Sequence, residues 1–476
     1  MGGVISLVRS GISAAAEGIK VLVDLNSSYQ ALLQRVAATP PLPVPNPTTP
    51  YWVQDAPHPH LDATSEIQSS TDVVIIGSGI TGVAAAKTIL ELSPTKSIAV
   101  LEARGVCSGA TGRNGGHIKA APYIDFAMHK QTLGEKGAKR IVEFQMRHLD
   151  MLKEAGSGIE EAEVREVETV DLFLDVEGFA KAKKAVADMR KTMDVEVKVW
   201  EGDDLKRFEA SGCVGAITYR AGAMWPYRFV TGLWNNLLKE YSNLSLVTNT
   251  PATAVKAVAG GYEITTPRST IKTKQVLHAT NGYAGRLLPQ LKPSIASIKG
   301  HMTAQKPASF PYKGQSWSVI YPRGFDYITQ RENGDLLLGG GFARSKENGL
   351  DQVGVYDDST LDIMTLMHVN GVAPTVFNTA VDVRNAWSGI MGYTGDSRPF
   401  VGRVKGEEWV SAGFCGHGMV WAWLCGVGVG VMMAGKEGEK LEKGVGRPEG
   451  KLQDWFPKDL LAVREADIKN LKDEMF

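Results

Sequence analysis

The sequence of 476 residues is poor in cysteine, and its four cysteines form no pattern. Cys107, Cys213, Cys415 and Cys425 are widely spaced and contain no C-x-x-C pair, which argues against a metal site and against a disulfide framework. A reducing compartment fits that usage, and a cytoplasmic location is expected. Net charge is also missing, since 52 Lys and Arg balance 52 Asp and Glu. Nothing in that balance suggests nucleic acid or an anionic membrane as a partner, so a small molecule is expected instead. The apolar run Met419 to Ala434 is too short and too interrupted by glycine to read as a membrane span. The start lacks the basic region and long apolar core of a signal peptide. Met1-Gly2-Gly3-Val4-Ile5-Ser6 matches an N-myristoylation pattern at Gly2, although one acyl chain binds membranes only marginally. No internal repeat is present.

Glycine is abundant, and it is concentrated where the chain turns. The stretch Thr71-Asp-Val-Val-Ile-Ile-Gly-Ser-Gly-Ile-Thr-Gly82 runs from a short apolar strand into Gly77-x-Gly79-x-x-Gly82, and an alanine-rich helical segment follows. Gly77 would make the tight turn, Gly79 would let the backbone approach a pyrophosphate, and Gly82 would let the helix pack closely on the strand. Ser78, Ile80 and Thr81 complete that turn, and the helix N-terminus would face the phosphates. A second apolar run, Ser97 to Leu101, ends in Glu102, whose carboxylate can accept hydrogen bonds from ribose hydroxyls. Ala103 and Arg104 then lead into a loop of glycines and small polar residues through His117, a composition able to wrap a flat ligand with its backbone.

Along the rest of the chain, Val4 to about Ala38 reads as amphipathic helix and Pro40 to Pro50 as an extended strap. Helical spacing recurs around Gly137 to Ala155, Phe179 to Met193, the run after Trp225-Pro226-Tyr227, and Leu361 to Asn370. Strands are expected at Val170 to Leu174, Ala216 to Tyr219, Val255 to Thr265 across a Gly260-Gly261 turn, and Thr273 to Thr280. Tyr327 to Leu338 reads as a hairpin turning at Asn333-Gly334, which implies an antiparallel sheet and a second domain. The expected division is an N-terminal segment over 1–70, a discontinuous nucleotide-binding domain over 71–160, 220–298 and 380–440, a substrate domain over 161–219 and 299–379, and a charged surface tail over 441–476.

Three further motifs make a resemblance specific. Ser108-Gly-Ala-Thr-Gly-Arg-Asn-Gly-Gly116 resembles a loop that crosses the flavin, Leu277-His-Ala-Thr-Asn-Gly282 is similar to a second nucleotide-contacting strand, and the blocks Trp387 to Gly402 and Gly413 to Met419 are similar to those that close over the isoalloxazine. On these motifs the chain resembles the FAD-dependent amino-acid oxidase (DAO) superfamily, in the branch similar to γ-glutamylputrescine oxidoreductase and to sarcosine and glycine oxidases. The resemblance covers roughly Asp72 to Gly435. It implies an α/β fold with a Rossmann-like FAD-binding domain and an antiparallel-sheet substrate domain. It also implies oxidation of a C–N bond in an amine or amino acid, with hydride passing to flavin N5 and the imine then hydrolysed.

Carried onto this sequence, the resemblance assigns FAD contacts to Ser108, Thr111, Arg113, Asn114, Gly115, Gly116 and His117, to Val255, Thr280, Asn281 and Gly282, and to Gly416, His417, Gly418 and Met419. Gly416 and Gly418 stand at the expected start of the last helix, whose N–H groups can stabilise the negative charge of reduced flavin. His417 can donate to the flavin or merely cap the helix. Non-covalent FAD is expected, because Ser388 stands where one branch has a flavin-linking cysteine and Cys415 lies in the other block. The strand Asp335 to Gly340 lacks the lysine that promotes reaction with oxygen in that branch, which leaves oxygen or another acceptor open.

Substrate-facing residues are expected from His301, Tyr321, Tyr327 and Arg331 of the second domain and from Trp387, Tyr393 and Arg398 of the closing blocks. Aromatic side chains would suit an alkyl or aryl amine, and an arginine would clamp a carboxylate. The alternatives are an NAD-dependent dehydrogenase and a redox-inactive nucleotide-binding protein.

Overall fold

The computed structural model describes residues 26–63, 66–292, 294–310 and 314–461. The expected acylation site at Gly2, the first part of the amphipathic segment and the end of the tail lie outside the described residues.

The strand Ser70–Ile76 lies in the middle of a sheet, flanked in parallel by Ile98–Leu101 on one side and Thr270–His278 on the other. Val73, Val74 and Ile75 are fully buried, as a continuous apolar run requires when both faces of a parallel strand are covered. Leu244–Val247 extends the sheet beyond Ile98–Leu101, and Glu408–Ala412 followed by Phe400–Lys405 extends it at the opposite edge. The expected Val255 to Thr265 segment is a hairpin, Ala254–Val258 with Gly261–Thr265, appended to Thr270–His278. The helices Ile80–Leu92 and Ala422–Met433 cover this sheet and contribute side chains to one apolar core.

The second sheet has nine strands among the described residues and is mostly antiparallel. Val381–Thr394 is its edge strand and pairs along almost its whole length with Ile295–Pro307. Beyond these come Leu336–Gly340, Gly324–Gln330 and Gln315–Tyr321, with the expected turn at Asn333-Gly334 joining the first two. Gln315–Tyr321 pairs in parallel with Arg165–Phe173, which is followed by Gly215–Ala223 and the short His117–Ile118.

Two expected boundaries therefore shift. Gly215–Ala223 is one strand across residue 220, and Val381–Thr394 belongs to the second sheet. Apolar alternation defines a strand but does not name its partner. The long helix Pro122–Gly156 begins well before Gly137: Gly134, at φ 67°, divides it into two helical stretches, of which the expected segment lies in the second. Ile363–Phe377 outlasts the expected Asn370, and Asp362 caps its start by accepting from the Thr365 N–H at 2.7 Å.

Both flanking segments are more deeply built in than composition suggests. Residues 26–37 are helical, and the strap that follows buries Tyr51 and Trp52. The Trp225 indole donates to Trp52 O at 2.7 Å, and the Tyr51 hydroxyl donates to Asp335 at 2.7 Å. In the tail, Leu452, Trp455, Phe456 and Leu460 join the main core instead of lying on the surface. Their apolar spacing is visible in the sequence but is masked there by the charged residues between them. No helix among the described residues is long and apolar enough to cross a membrane.

Candidate functional site

A cavity of about 1550 Å³ is lined by residues from both sheets. At the parallel sheet its wall is the turn Gly77, Gly79, Ile80 and Thr81, the ends of the flanking strands at Glu102 and Thr280, and the loop containing Ser108 and Thr111. A Cβ on Gly79 would stand 2.9 Å from Thr111 Oγ1, which already accepts from the Ile80 N–H at 3.2 Å. A Cβ on Gly82 would meet Gly77 O at 2.1 Å, so Gly82 serves the turn from beneath and does not line the cavity.

Ser78 is also behind the wall. Its hydroxyl donates to Glu102 at 2.7 Å and its N–H at 3.0 Å, so it fixes the carboxylate from the rear. The Arg104 N–H donates to the other carboxylate oxygen at 3.1 Å. The hydroxyls of Ser108 and Thr280 are buried without a partner among the described residues, although both residues line the cavity. Orphaned hydroxyls of this kind are costly unless something in the cavity bonds to them.

Ala103, Arg104, Arg113, Asn114, Gly115 and His117 also line the cavity, but their side chains are largely engaged with protein. Asp358, 1% exposed, receives Arg104 at 2.9 Å and Arg113 at 3.3 Å. Burial lowers the Arg113 guanidinium to about 10, with Asp358 opposing the shift. Asp358 O in turn accepts from Thr48 at 2.8 Å, which pins the N-terminal strap beside the loop. Asn114 Oδ1 accepts from the Gly116 N–H at 2.7 Å, and Gly116 stays outside the lining. The His117 ring meets Ser316 at 2.8 Å, and burial holds it well below the usual histidine range.

Thr280, Asn281 and Gly282 all line the cavity, whereas Val255 sits in the appended hairpin away from it. Pro251 and Ala252, just before that hairpin, take the expected place. Asn281 Oδ1 accepts from the N–H groups of Gly413 and Phe414 at 3.0 and 3.3 Å, tying the strand end to the closing block. That block reaches the helix differently from the sequence expectation. The α-helix starts at Ala422, and Gly418–Val420 forms a preceding 3-10 turn. The Cys415 N–H is taken by Gly392 O and the His417 N–H by Phe414 O, while those of Gly416, Gly418 and Met419 have no partner among the described residues. All four residues from Gly416 to Met419 line the cavity.

The second sheet supplies side chains. Tyr327 lies over Gly115, where a Cβ would come 2.6 Å from its ring, and its hydroxyl reaches Met302 Sδ at 2.9 Å. Tyr393 stands beside Gly416, a Cβ there meeting its hydroxyl at 2.5 Å. Burial raises both phenols, the second further through Cys415. Met302 and Met391 were not singled out by sequence reasoning. Two-residue alternation puts Met391 on the face of Tyr393, which could have found it.

Several expected substrate contacts lie elsewhere. His301 borders the cavity, but its Nε2 accepts from the Asp362 N–H at 2.9 Å, on the strand face opposite Met302. Burial lowers this histidine to about 4. The Tyr321 hydroxyl is occupied by Asp326 at 3.2 Å and His368 at 3.1 Å. Trp387 is fully buried behind the loop and donates to Arg113 O at 2.7 Å. Arg331 pairs with Glu163 and stacks on Trp225 at 4.0 Å, and Arg398 pairs with Asp396 at 2.8 Å. Neither arginine lines the cavity. The Ser388 hydroxyl is turned away, donating to Thr360 O at 3.0 Å.

The comparisons with known proteins agree with this architecture. A probable oxidoreductase OrdL of Rhizobium meliloti is 25% identical over 382 residues, covering 77% of this chain and 84% of that protein. The mitochondrial L-2-hydroxyglutarate dehydrogenase of Bos taurus is 24% identical over 325 residues, covering 65% and 68%. Among solved structures, the L-proline dehydrogenase of P. horikoshii superposes with a TM-score of 0.62 at 22% identity, over 77% of this chain and 94% of that one. Glycine oxidase from Geobacillus kaustophilus gives a TM-score of 0.61 at 18% identity, over 79% and 97%. These likenesses establish the fold, a Rossmann-like parallel sheet joined to an antiparallel one. The family model described as FAD dependent oxidoreductase matches residues 72–429, so the chain belongs to that family and is an FAD-dependent oxidoreductase.

Proposed function

We propose that the cavity holds FAD without a covalent bond and that the enzyme oxidises the C–N bond of a small amine or amino acid. The observation that carries this reading is a convergence within one cavity. The glycine turn, Glu102 and the orphaned hydroxyls of Ser108 and Thr280 meet there with Tyr327, Tyr393 and the free N–H groups of Gly416, Gly418 and Met419. The fit to FAD rests on this chain's own atoms. Gly79 leaves the space that a side chain would fill, and Glu102 offers acceptors where ribose hydroxyls would donate.

Bound FAD supplies the two-electron acceptor that an oxidation requires. The protein's part is to bind and to orient. Tyr327, Met302 and Tyr393 form an apolar wall against which an amine's carbon would lie, with the phenols kept protonated by burial. The N–H groups of Gly416, Gly418 and Met419 are placed to stabilise negative charge within the cavity, at no cost of reorganisation. The thiol of Cys415 lines the cavity but donates to Gly413 O at 3.3 Å, which supports dissociable cofactor.

The test is the absorption spectrum of the purified protein, followed by acid precipitation and anaerobic addition of amines, amino acids and 2-hydroxy acids. Flavin released by acid and bleached by an amine or amino acid is expected. Flavin retained in the precipitate would refute the non-covalent assignment, and bleaching by 2-hydroxy acids alone would replace C–N by C–O oxidation. Reoxidation by air compared with an artificial dye then distinguishes oxygen from another acceptor.

A further inference from the structure

One part of the cavity wall plays no role in the reading above. It is formed by Asp125 and His129 in the first two turns of Pro122–Gly156, by Gln145 beyond the kink in that helix, and by Val420 and Trp421. Asp125 is 4% exposed and accepts the Ala121 N–H at 3.1 Å. It has no ion-pair partner among the described residues. Neighbouring charges are already matched: Lys119 pairs with Asp171 at 2.5 Å, and Arg398 with Asp396 at 2.8 Å. Burial raises the Asp125 carboxyl, and the charges of His417 and then Lys119 oppose that shift without forming an ion pair with it among the described residues. A buried carboxylate without a cation is costly and is usually paired.

Two further side chains of this wall carry unsatisfied buried atoms. His129 is 1% exposed with no partner on Nε2 among the described residues, and burial lowers it to about 4, which keeps the ring neutral. Gln145 is 2% exposed with no partner on Oε1 among them. His129 meets the Trp421 indole edge-on at 6.4 Å, and Phe144 packs on the same indole at 5.9 Å. Trp421 itself lines the cavity.

We infer that Asp125, with Gln145 and His129, forms a subsite for a second cationic group of the substrate, an ammonium or guanidinium held away from the C–N bond that is oxidised. This deepens the proposed amine oxidation and rests on it. An ammonium offers three donors, enough for the carboxylate and the amide oxygen together. Its charge would supply the counterion that Asp125 lacks. Charge-assisted hydrogen bonds in a partly dry site give such a group more discrimination than surface pairing would.

The experiment uses two matched pairs of probes on the FAD-loaded full-length protein. The pairs are 1,4-diaminobutane against n-butylamine, and L-lysine against L-norleucine. Binding is read anaerobically from flavin absorbance changes and from the shift in Tm. The member with the second cation is expected to act at roughly tenfold or more lower concentration in at least one pair. Asp125→Asn should bring that ratio close to one, while Gln145→Met should reduce it severalfold. Gln145→Met carries the test alone if Asp125→Asn does not accumulate as folded protein. Equal or reversed ratios in the native enzyme, no response to any of the four probes, or a preference that survives both substitutions would overturn the subsite. If n-butylamine or L-norleucine reduces the flavin as readily as its counterpart with the second cation, amine oxidation stands and only the subsite fails. Reduction by 2-hydroxy acids alone would instead remove the reading on which it rests.

Discussion

The two sheets meet the same cavity with different materials. The parallel sheet presents backbone, in the turn at Gly77 to Thr81 and the loop from Ser108 to Gly115, with one carboxylate at Glu102. The antiparallel sheet presents side chains from strand faces, Met302, Tyr327 and Tyr393 among them. Recognition by backbone tolerates almost no variation where the ligand must come close, because any Cβ fills the space. Recognition by strand side chains tolerates exchange of residue type and depends on register. One end is thus suited to a constant ligand and the other to a variable one.

The sharpest way to break the comparison is at the backbone end. In Gly79→Val the Cβ would stand 2.9 Å from Thr111 Oγ1 before the γ-methyls are counted, and Thr111 is held by the Ile80 N–H. The expected outcome is purified protein without flavin, read from the absorbance ratio of flavin to protein. The core should remain, because the turn's fold depends on Gly77 and Gly82 and not on Gly79. Full FAD occupancy in this variant would mean that the pyrophosphate does not pass here.

Where the two materials meet, a smaller effect is expected. Gly418 opens the turn before Ala422–Met433, and its N–H has no partner among the described residues. Gly418→Pro deletes that donor at a position where proline suits a turn's start. Gly418→Ala keeps the donor, and its Cβ would meet nothing nearer than Phe414 Cβ at 3.9 Å. Loss of one preorganised donor to a developing anion costs on the order of 3 kcal/mol, so the proline variant should reduce its flavin roughly a hundredfold more slowly and at a lower potential. The alanine variant should behave as the native enzyme does. Equal potentials in the two variants, both retaining FAD, would show that this N–H has no electrostatic role.

The same contrast decides what the sequence discloses. The strand, turn and helix at Ser70–Leu92 are legible because glycine spacing and apolar periodicity follow from sterics that act locally. The hairpin turning at Asn333-Gly334 is legible for the same reason. The resemblance and residue type point Arg331, Arg398, Trp387 and His301 at the substrate, yet each commits polar atoms to Glu163, Asp396, Arg113 O or the Asp362 N–H. Those partners are distant in the chain or set by loop conformation, so residue type could not reveal them. Asp125 escaped notice for the opposite reason, since its distinction is a partner that it lacks. The burial of Trp52 and Phe456 likewise depends on long-range packing of segments whose composition reads as surface.

Acid sensitivity is the mildest way to sharpen the comparison, and it concerns a histidine beneath the closing helix. His148 is fully buried, with Nδ1 at 3.0 Å from Phe144 O and Nε2 accepting the Leu424 N–H at 3.2 Å. A ring that donates through Nδ1 and accepts through Nε2 is neutral, and burial accordingly lowers it to about 4. The unfolded chain would titrate near the ordinary value of about 6.5, so it binds more protons than the folded one between the two values. Stability is therefore fully present above about pH 6.5, falls as the pH drops toward 4, and loses nothing further from this group below that. Between pH 7 and pH 5 the loss from His148 is about 2 kcal/mol. His148→Gln keeps a donor and an acceptor but cannot be protonated, so its urea-unfolding free energy should fall by about that much less over the same interval. An equal fall in both proteins would place the acid-labile group elsewhere, with His301 of the second sheet, also lowered to about 4, as the next to replace.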